Sequence, residues 1–349
     1  MSRYRLGRNL FVKQITELTP DEMQAWDQLV STEADLRRAF MSRAYVAAVA
    51  ETGADVCVLV GHEEGRAVFF LPLQRQHGLA GKMGCHEPVG GVMTDYFGVV
   101  ATGQVRLDVS AVLAATRGRV SLCTYTHLDE SQARFGLTAD EHRIGLQTDL
   151  GVEPDKFWSR LRELDKKLVT DTERRERKLR TDCGDIVFEW QTTQPESDLA
   201  WLIECKKQQY SRTGRELAPL FEQRNVDLLY RLLNSQSDMC SGVLSVLRSP
   251  HGVIAAHFGL RCQGVLHVWF PVFDRAYAHA SPGRILFKHM FAAAPQHQVQ
   301  MFDRGEGDTP AKRDFANTEH RFGRGVWRAR GWRGELGLLA QRLAWRFKL

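Results

Sequence analysis

Strands and helices alternate along this 349-residue chain. That alternation predicts an α/β (α+β) protein of mixed β-sheets with helices on both faces. Three observations carry the prediction. Two hairpin patterns recur, residues 55–60 with 67–73 and residues 243–247 with 253–260, each preceded by helical segments. The run Val265–Phe273 is apolar on both faces apart from His267, as in a central covered strand. At about 150 residues per domain the length suits two domains. The repeated hairpins place their divide near residues 149–154, giving halves over residues 1–150 and 151–349.

In chain order, residues 11–18 read as a strand. Thr19, Pro20, Asp21 and Glu22 then supply a cap, a first-turn proline and an acidic first turn for a helix to about Val30. The first hairpin turns through Gly61, Glu63, Glu64 and Gly65. In the second half Phe157, Leu161, Leu164 and Leu168 stand at spacings of four, three and four, which predicts one helix reaching about Thr181. Its other faces interleave basic residues from Lys166 to Arg180 with Asp165, Asp171, Glu173 and Glu176. Such interleaving suits a solvated face with i,i+4 pairs and argues against nucleic acid as the main partner. A strand over 186–191, helices over 198–210 and 224–234, the second hairpin and Val265–Phe273 follow. A helix over 282–294, a strand over 299–303 and a short helix after Thr309 complete the half.

Composition narrows the function classes. With 43% apolar and 26% charged residues the chain is globular, and its apolar runs fall short of the roughly 20 residues that cross a bilayer. The seven cysteines are too far apart for a CxxC metal or redox motif, which suits a reduced cytoplasm. No metal set is expected. The net charge of +5 hides an asymmetry, because residues 321–349 hold eight Lys or Arg against the single Glu335. This basic tail suits an anionic membrane surface, peripheral to the inner membrane. The alternative is a terminal helix docked through Leu336, Leu339, Leu343 and Trp345 with its arginines solvated.

Chemistry concentrates in four places. Pro271 cannot donate to a ladder, so pairing should fail beside it, and a gap flanked by Phe270 and Val272 could receive a ligand. The alternative is an edge strand without functional meaning. Ser281 reads as an N-cap before Pro282 and Gly283, and Arg284 with Lys288 adds two positive charges one turn apart at a helix start, which suits phosphate. Simple capping explains the same letters. His257 lies between small residues on its strand face, with room for a ligand and the chemistry of a general base, although a structural histidine fits too. Finally Asp303, Glu306, Asp308 and Lys312 cluster around two glycines, as an active-site lip or a solvated turn.

The strand, the Ser281-Pro282-Gly283 helix start and the run from Phe302 to Asp308 followed by Lys312 resemble the GNAT-type acyltransferases that include cellulose-biosynthesis acetyltransferase-like proteins. Residues 70–73 and Thr94-Asp95-Tyr96-Phe97-Gly98 resemble further landmarks of that family. Two departures stand out: Ala311 occupies the family's tyrosine position, and no intact Arg/Gln-x-x-Gly-x-Gly/Ala loop precedes Pro282. The resemblance implies tandem GNAT-like halves, the first degenerate, as in the distantly related Fem-type transferases. It implies acyl transfer from acyl-CoA (acetyl-CoA) to an amine, such as an amino sugar or saccharide precursor of envelope polysaccharide. Asp303 or His257 would act as base, with Phe270, Val272, Ser281, Gly283, Arg284 and Lys288 at the cofactor and Glu306, Asp308 and Lys312 at the acceptor. Competing expectations are a Fem-type aminoacyl transferase and a non-enzymatic, membrane-associated polysaccharide assembly factor.

Overall fold

The computed structural model describes residues 9–213 and 222–347, with side chains to residue 343. The chain opens with β1 (Leu10–Gln14), α1 (Pro20–Thr32), α2 (Arg43–Ala50), β2 (Val56–Glu63), β3 (Arg66–Arg75) and α3 (Gly78–Lys82). Next come β4 (Cys85–Glu87), β5 (Val100–Ala101), α4 (Val109–Ala115), β6 (Leu122–Asp129), β7 (Glu141–Asp149), α5 (Phe157–Leu164) and α6 (Lys166–Cys183). Then follow β8 (Val187–Glu189), α7 (Pro195–Thr213), α8 (Gln223–Leu233), β9 (Ser241–Ser249), β10 (Gly252–Cys262) and β11 (Val265–Phe273). The chain continues through α9 (Pro282–Ala293), β12 (Met301–Glu306), α10 (Pro310–Arg313), β13 (Thr318–Arg328) and α11 (Trp332–Phe347). The fold is α/β, with parallel and antiparallel pairs mixed in the sheets and helices on both faces.

The chain forms two units, Met1–Gly145 with His320–Leu349, and Leu146–Glu319. The C-terminal segment therefore packs with the first unit, not with the second half to which the sequence pattern assigned it. Strand β13 pairs antiparallel with β6, and α11 lies on α3, β4 and β6. The docking face of α11 also differs from expectation. Gly337 and Ala340 face the protein, because only small residues fit against Ser121 and Leu122, and Leu336 and Leu339 are left outside. Trp345 lies outside the residues whose side chains are described.

In the first unit the expected N-terminus of α1 is a capping box. Thr19 Oγ1 accepts from the Glu22 amide at 3.3 Å, and a Glu22 carboxylate oxygen accepts from the Thr19 amide at 2.8 Å. Trp26 of α1 stacks on Phe70 of β3 with ring centroids 4.9 Å apart. Strand β1 stops at Gln14, four residues earlier than the pattern suggested, where a 3-10 turn begins.

In the second unit the single long helix expected from the leucine spacing is broken. Asp165 leaves helical geometry at φ −138°, and its carboxylate caps α6 by accepting from the Leu168 amide at 2.9 Å. Leu164 consequently stands 84% exposed, while Phe157 and Leu168 remain buried. Strand β8 is shorter than expected because side-chain bonds take over beyond it: Ser245 Oγ donates to the Trp190 carbonyl, and the Leu244 amide donates to Gln191 Oε1. The strands run in the order β8, β9, β10, β11, β12, antiparallel except for the last pair. Helix α7 covers one face, where Lys206 lies over Phe270, and α9 covers the other, where Phe287 meets His257. Phe291 of α9 packs edge-on against Phe302 of β12 and Phe315, with centroids 5.0 and 5.3 Å away. This aromatic cluster fixes β12 against α9.

Replacing the fully buried Phe302 by alanine should cost about 3–5 kcal/mol through lost contacts and a residual cavity. Urea unfolding followed by tryptophan fluorescence measures it; an unchanged midpoint would show that the cluster does not hold β12.

Candidate functional site

Strand β11 changes partners along its length. It pairs in parallel with β12 only through Val265↔Met301, Leu266↔Phe302 and His267↔Asp303. On its other edge Phe270 opposes Phe258 and Val268 opposes Gly259, so Trp269 bulges out of the ladder. Pro271 then offers no N–H to either neighbour. The β11–β12 ladder has ended four residues before Pro271 and the bulge stands two before it, while Pro271 itself stays in register with His257 of β10. The Pro271 carbonyl accepts from Lys206 Nζ at 3.5 Å. Phe270 stacks on Trp269 with centroids 4.7 Å apart, and Val272 is buried opposite Ala256.

Beyond β11 a 3-10 turn over Arg275–Ala280 leads into α9. Ser281 does not cap that helix with its side chain as the sequence suggested. It sits in the left-handed region at φ 51°, the conformation that carries the chain from the turn into α9, and its amide donates to the Ala278 carbonyl at 3.1 Å. Gly283 is open: an added Cβ would meet nothing within 4 Å. Arg284 and Lys288 do not form a joint anion clamp. Lys288 Nζ is bound to Glu176 Oε2 at 2.5 Å, and His289 and Arg180 also hold that carboxylate, at 2.9 and 3.3 Å. Burial alone would raise the Glu176 pKa, but the hydrogen bonds from His289 and Lys288 prevail and hold it at about 2. The group ties α6 to α9.

Arg284 belongs to a different arrangement. Its Nε donates to Asp314 at 2.8 Å and its Nη1 to Asp171 at 3.4 Å. Asp171 is also bound by Arg174 and Arg175, each at 2.7 Å, so one carboxylate serves three guanidinium groups. Hydrogen bonds from Arg175 and Arg174 hold its pKa below the ordinary carboxylate value. These residues wall a cavity of about 720 Å³, in which five cations, Lys167, Arg174, Arg175, Arg177 and Arg284, face three carboxylates. The expected i,i+4 pairs of α6 exist, yet Lys167 and Arg177 have no carboxylate partner among the described residues. Arg175 Nη1 also donates to the His279 carbonyl at 2.6 Å, joining α6 to the turn before α9.

Asp303 is fully buried at the last rung of the parallel pair. Its Oδ1 accepts from the Gly305 amide at 2.9 Å, and its Oδ2 lies 3.7 Å from His267 Nδ1. His257 is fully buried on the opposite face, and neither ring nitrogen has a hydrogen-bond partner among the described residues. The room expected beside it is filled by its own ring, since a Cβ at Gly259 would lie 2.5 Å from Cε1. Burial first, then His267 and Arg304, pulls its pKa to about 3. An imidazole that weak cannot take a proton from an ammonium group, which removes His257 as the base. Lys312 Nζ donates to the Glu306 carbonyl at 2.6 Å and the Gly305 carbonyl at 3.4 Å, bracing the turn. Asp308 is held in a bidentate pair by Arg313 at 2.6 and 2.7 Å.

Two residues escaped sequence reasoning. Lys206 was an unremarked polar position on an amphipathic helix. Arg304 was counted with the turn, but β12 runs on to Glu306 and buries it. Its guanidinium stacks on Phe287 at 4.7 Å, and Nη2 donates to the Ala311 carbonyl at 3.1 Å. Burial pulls its pKa to about 10, so it stays charged near neutrality. The first unit repeats the construction. Its parallel pair β4 and β6 has two rungs, Cys85↔Leu122 and His86↔Cys123, and a cavity of about 430 Å³ touches both strands beyond them, at Glu87 and Thr124.

Residues 166–313 match the acetyltransferase (GNAT) domain family. The match runs from α6 through α10 and takes in the parted strands and most of the residues that wall the cationic cavity. No curated protein matches the chain at a significant level. Among solved structures the chain is similar to FemX, with a TM-score of 0.61 at 9% identity over 97% of this chain and 100% of that one. It is also similar to L-PGS from Bacillus licheniformis, with a TM-score of 0.50 at 11% identity over 97% and 99%. A tandem GNAT protein from the clavulanic acid biosynthesis pathway matches with a TM-score of 0.45 at 14% identity over 90% and 98%. At such identities the likeness concerns the fold.

The His257 pKa gives a signed test. In the unfolded chain the group titrates near 6.5 and in the fold near 3, so between those values the unfolded chain binds the extra proton and stability falls as pH drops. His257→Leu should flatten the decline of Tm below pH 6.5; parallel wild-type and variant profiles would contradict the assignment.

Proposed function

We propose that this protein is an N-acyltransferase that moves an acyl group from acyl-CoA, acetyl-CoA as the simplest case, to an amine on an amino sugar or saccharide precursor of envelope or exopolysaccharide assembly. The observation that supports this reading is the early end of the β11–β12 ladder beside the Trp269 bulge and the start of α9. Parted strands give an extended thioester arm a cleft with backbone groups along it. A freed amide there polarises the thioester carbonyl as negative charge develops on its oxygen. The amine nitrogen attacks that carbon, the C–N bond forms, the C–S bond breaks, and the thiolate leaves. Holding the two reactants together supplies most of the acceleration, since oriented reactions gain up to about 7–11 kcal/mol.

The remaining roles follow charge. Arg284, Lys167 and Arg177 around the cationic cavity take the phosphates of the donor, replacing the glycine-rich loop that the chain lacks. Asp303, at the last rung, takes one proton from the acceptor's ammonium group so that the free amine attacks, and the second proton, shed as the amide forms, goes to the departing thiolate. Glu306, at the end of β12, orients the acceptor.

Release of free thiol from acetyl-CoA in the presence of glucosamine tests the reading, with a thermal shift that rises with acetyl-CoA concentration as its binding counterpart. Asp303→Asn should lower kcat by about 10² to 10⁴ with little change in KM for acetyl-CoA. Arg284→Ala should raise that KM by about tenfold, the weight of roughly 1.4 kcal/mol of binding. No shift at millimolar acetyl-CoA, or transfer supported by aminoacyl-tRNA in its place, would overturn the reading.

A further inference from the structure

Helix α11 carries its large apolar residues on the wrong side for a docked terminal helix. Trp332, Leu336 and Leu339 stand at i, i+4 and i+7, one stripe of the helix. They are 68%, 38% and 54% exposed. The side that faces the protein carries Gly334, Gly337, Ala340 and Gln341, all buried, with Ala340 in a cluster with Ala80, Cys85 and Leu122. Helix α3 packs against α11, and its Leu79 and, just past its end, Met83 are also exposed. Scattered apolar residues are normal on a surface, but large ones gathered on two helices that pack together mark a contact surface.

The charge around this patch specifies the partner. Glu335 is the single acid among residues 321–349, and Arg328 neutralises its carboxylate at 2.9 Å. The Arg333 guanidinium lies 5.2 Å from the Trp332 ring, and Arg342 and Lys82 are exposed. Among the described residues no helix is long and apolar enough to cross a membrane. An exposed tryptophan and leucines within a basic field is the pattern of a helix lying in a bilayer interface: apolar side chains enter the acyl boundary while guanidinium groups meet phosphates.

We infer that the exposed face of α11, extended by α3, docks the protein on an anionic phospholipid surface. The inference stands apart from the acyl-transfer reading, since it uses none of the residues assigned to that chemistry.

Flotation of the full chain with vesicles tests it, using phosphatidylcholine alone or mixed with phosphatidylglycerol. The protein should float with the mixed vesicles and not with phosphatidylcholine alone, with Trp emission shifting to the blue and binding weakening as salt screens the charges. The triple variant Trp332→Ala, Leu336→Ser, Leu339→Ser should lose at least about tenfold in vesicle affinity, having lost more than 1.4 kcal/mol of apolar insertion. Its unfolding midpoint should match wild type, because these side chains face away from the core. Arg333→Gln with Arg342→Gln should weaken the preference for phosphatidylglycerol and leave the fold alone, which keeps the test open if the triple variant misfolds. Failure of wild type to float, equal flotation of wild type and both variants, or a wild-type dimer that the triple variant converts to monomer without any vesicle binding would overturn the proposal.

Discussion

Three hydrogen-bonded rungs join β11 to β12, and the arrangement of the second unit follows from the ladder ending there. A parallel pair needs evenly spaced donors and acceptors on both strands to continue. Trp269 breaks the spacing by bulging, and Pro271 withholds a donor two residues later. The bulge lies within β11 and α9 follows it, while the basic cavity is walled chiefly by α6, with Arg284 its one residue from the stretch between β11 and β12.

Around this opening most charges are already committed. Glu176 draws Lys288, His289 and Arg180 into a connection between α6 and α9, and Lys312 braces the turn after β12. Removing one member of such a partly buried group leaves the others uncompensated, so these residues act as scaffold. Arg284 holds Asp314 as well, but its second carboxylate, Asp171, is shared with two other arginines. That local surplus of positive charge separates the cavity from the ordinary salt-bridged surface of α6.

Much of this was legible in the residues. Thr19 and Glu22 announced the capping box of α1, the two hairpins appeared where the apolar runs placed them, and Val265–Phe273 has the bounds its composition suggested. Pro271 pointed to the neighbourhood of the bulge, but the ladder to β12 ends earlier, at His267, and Pro271 keeps its register with His257. Other features depended on tertiary contacts that no local pattern encodes. The spacing of Leu161, Leu164 and Leu168 is helical, yet Asp165 ends one helix by capping the next. The small residues around His257 suggested space, but a small neighbour leaves room for whichever side chain reaches it first, and that was the histidine's own ring. Leucines of the terminal helix were read as core because apolar residues usually are; Gly337 and Ala340 fit more closely against Ser121 and Leu122, which turned the leucines outward.

The proposed binding of a thioester between the parted strands would place a local demand on backbone dynamics, which amide hydrogen exchange reads directly. With saturating acetyl-CoA, slowed exchange should concentrate in residues 268–273 and at the start of α9, residues 281–286, with smaller changes along the cavity-facing turns of α6. Saturable binding that leaves those segments exchanging at the unliganded rate, while protecting another part of the chain, would contradict the account.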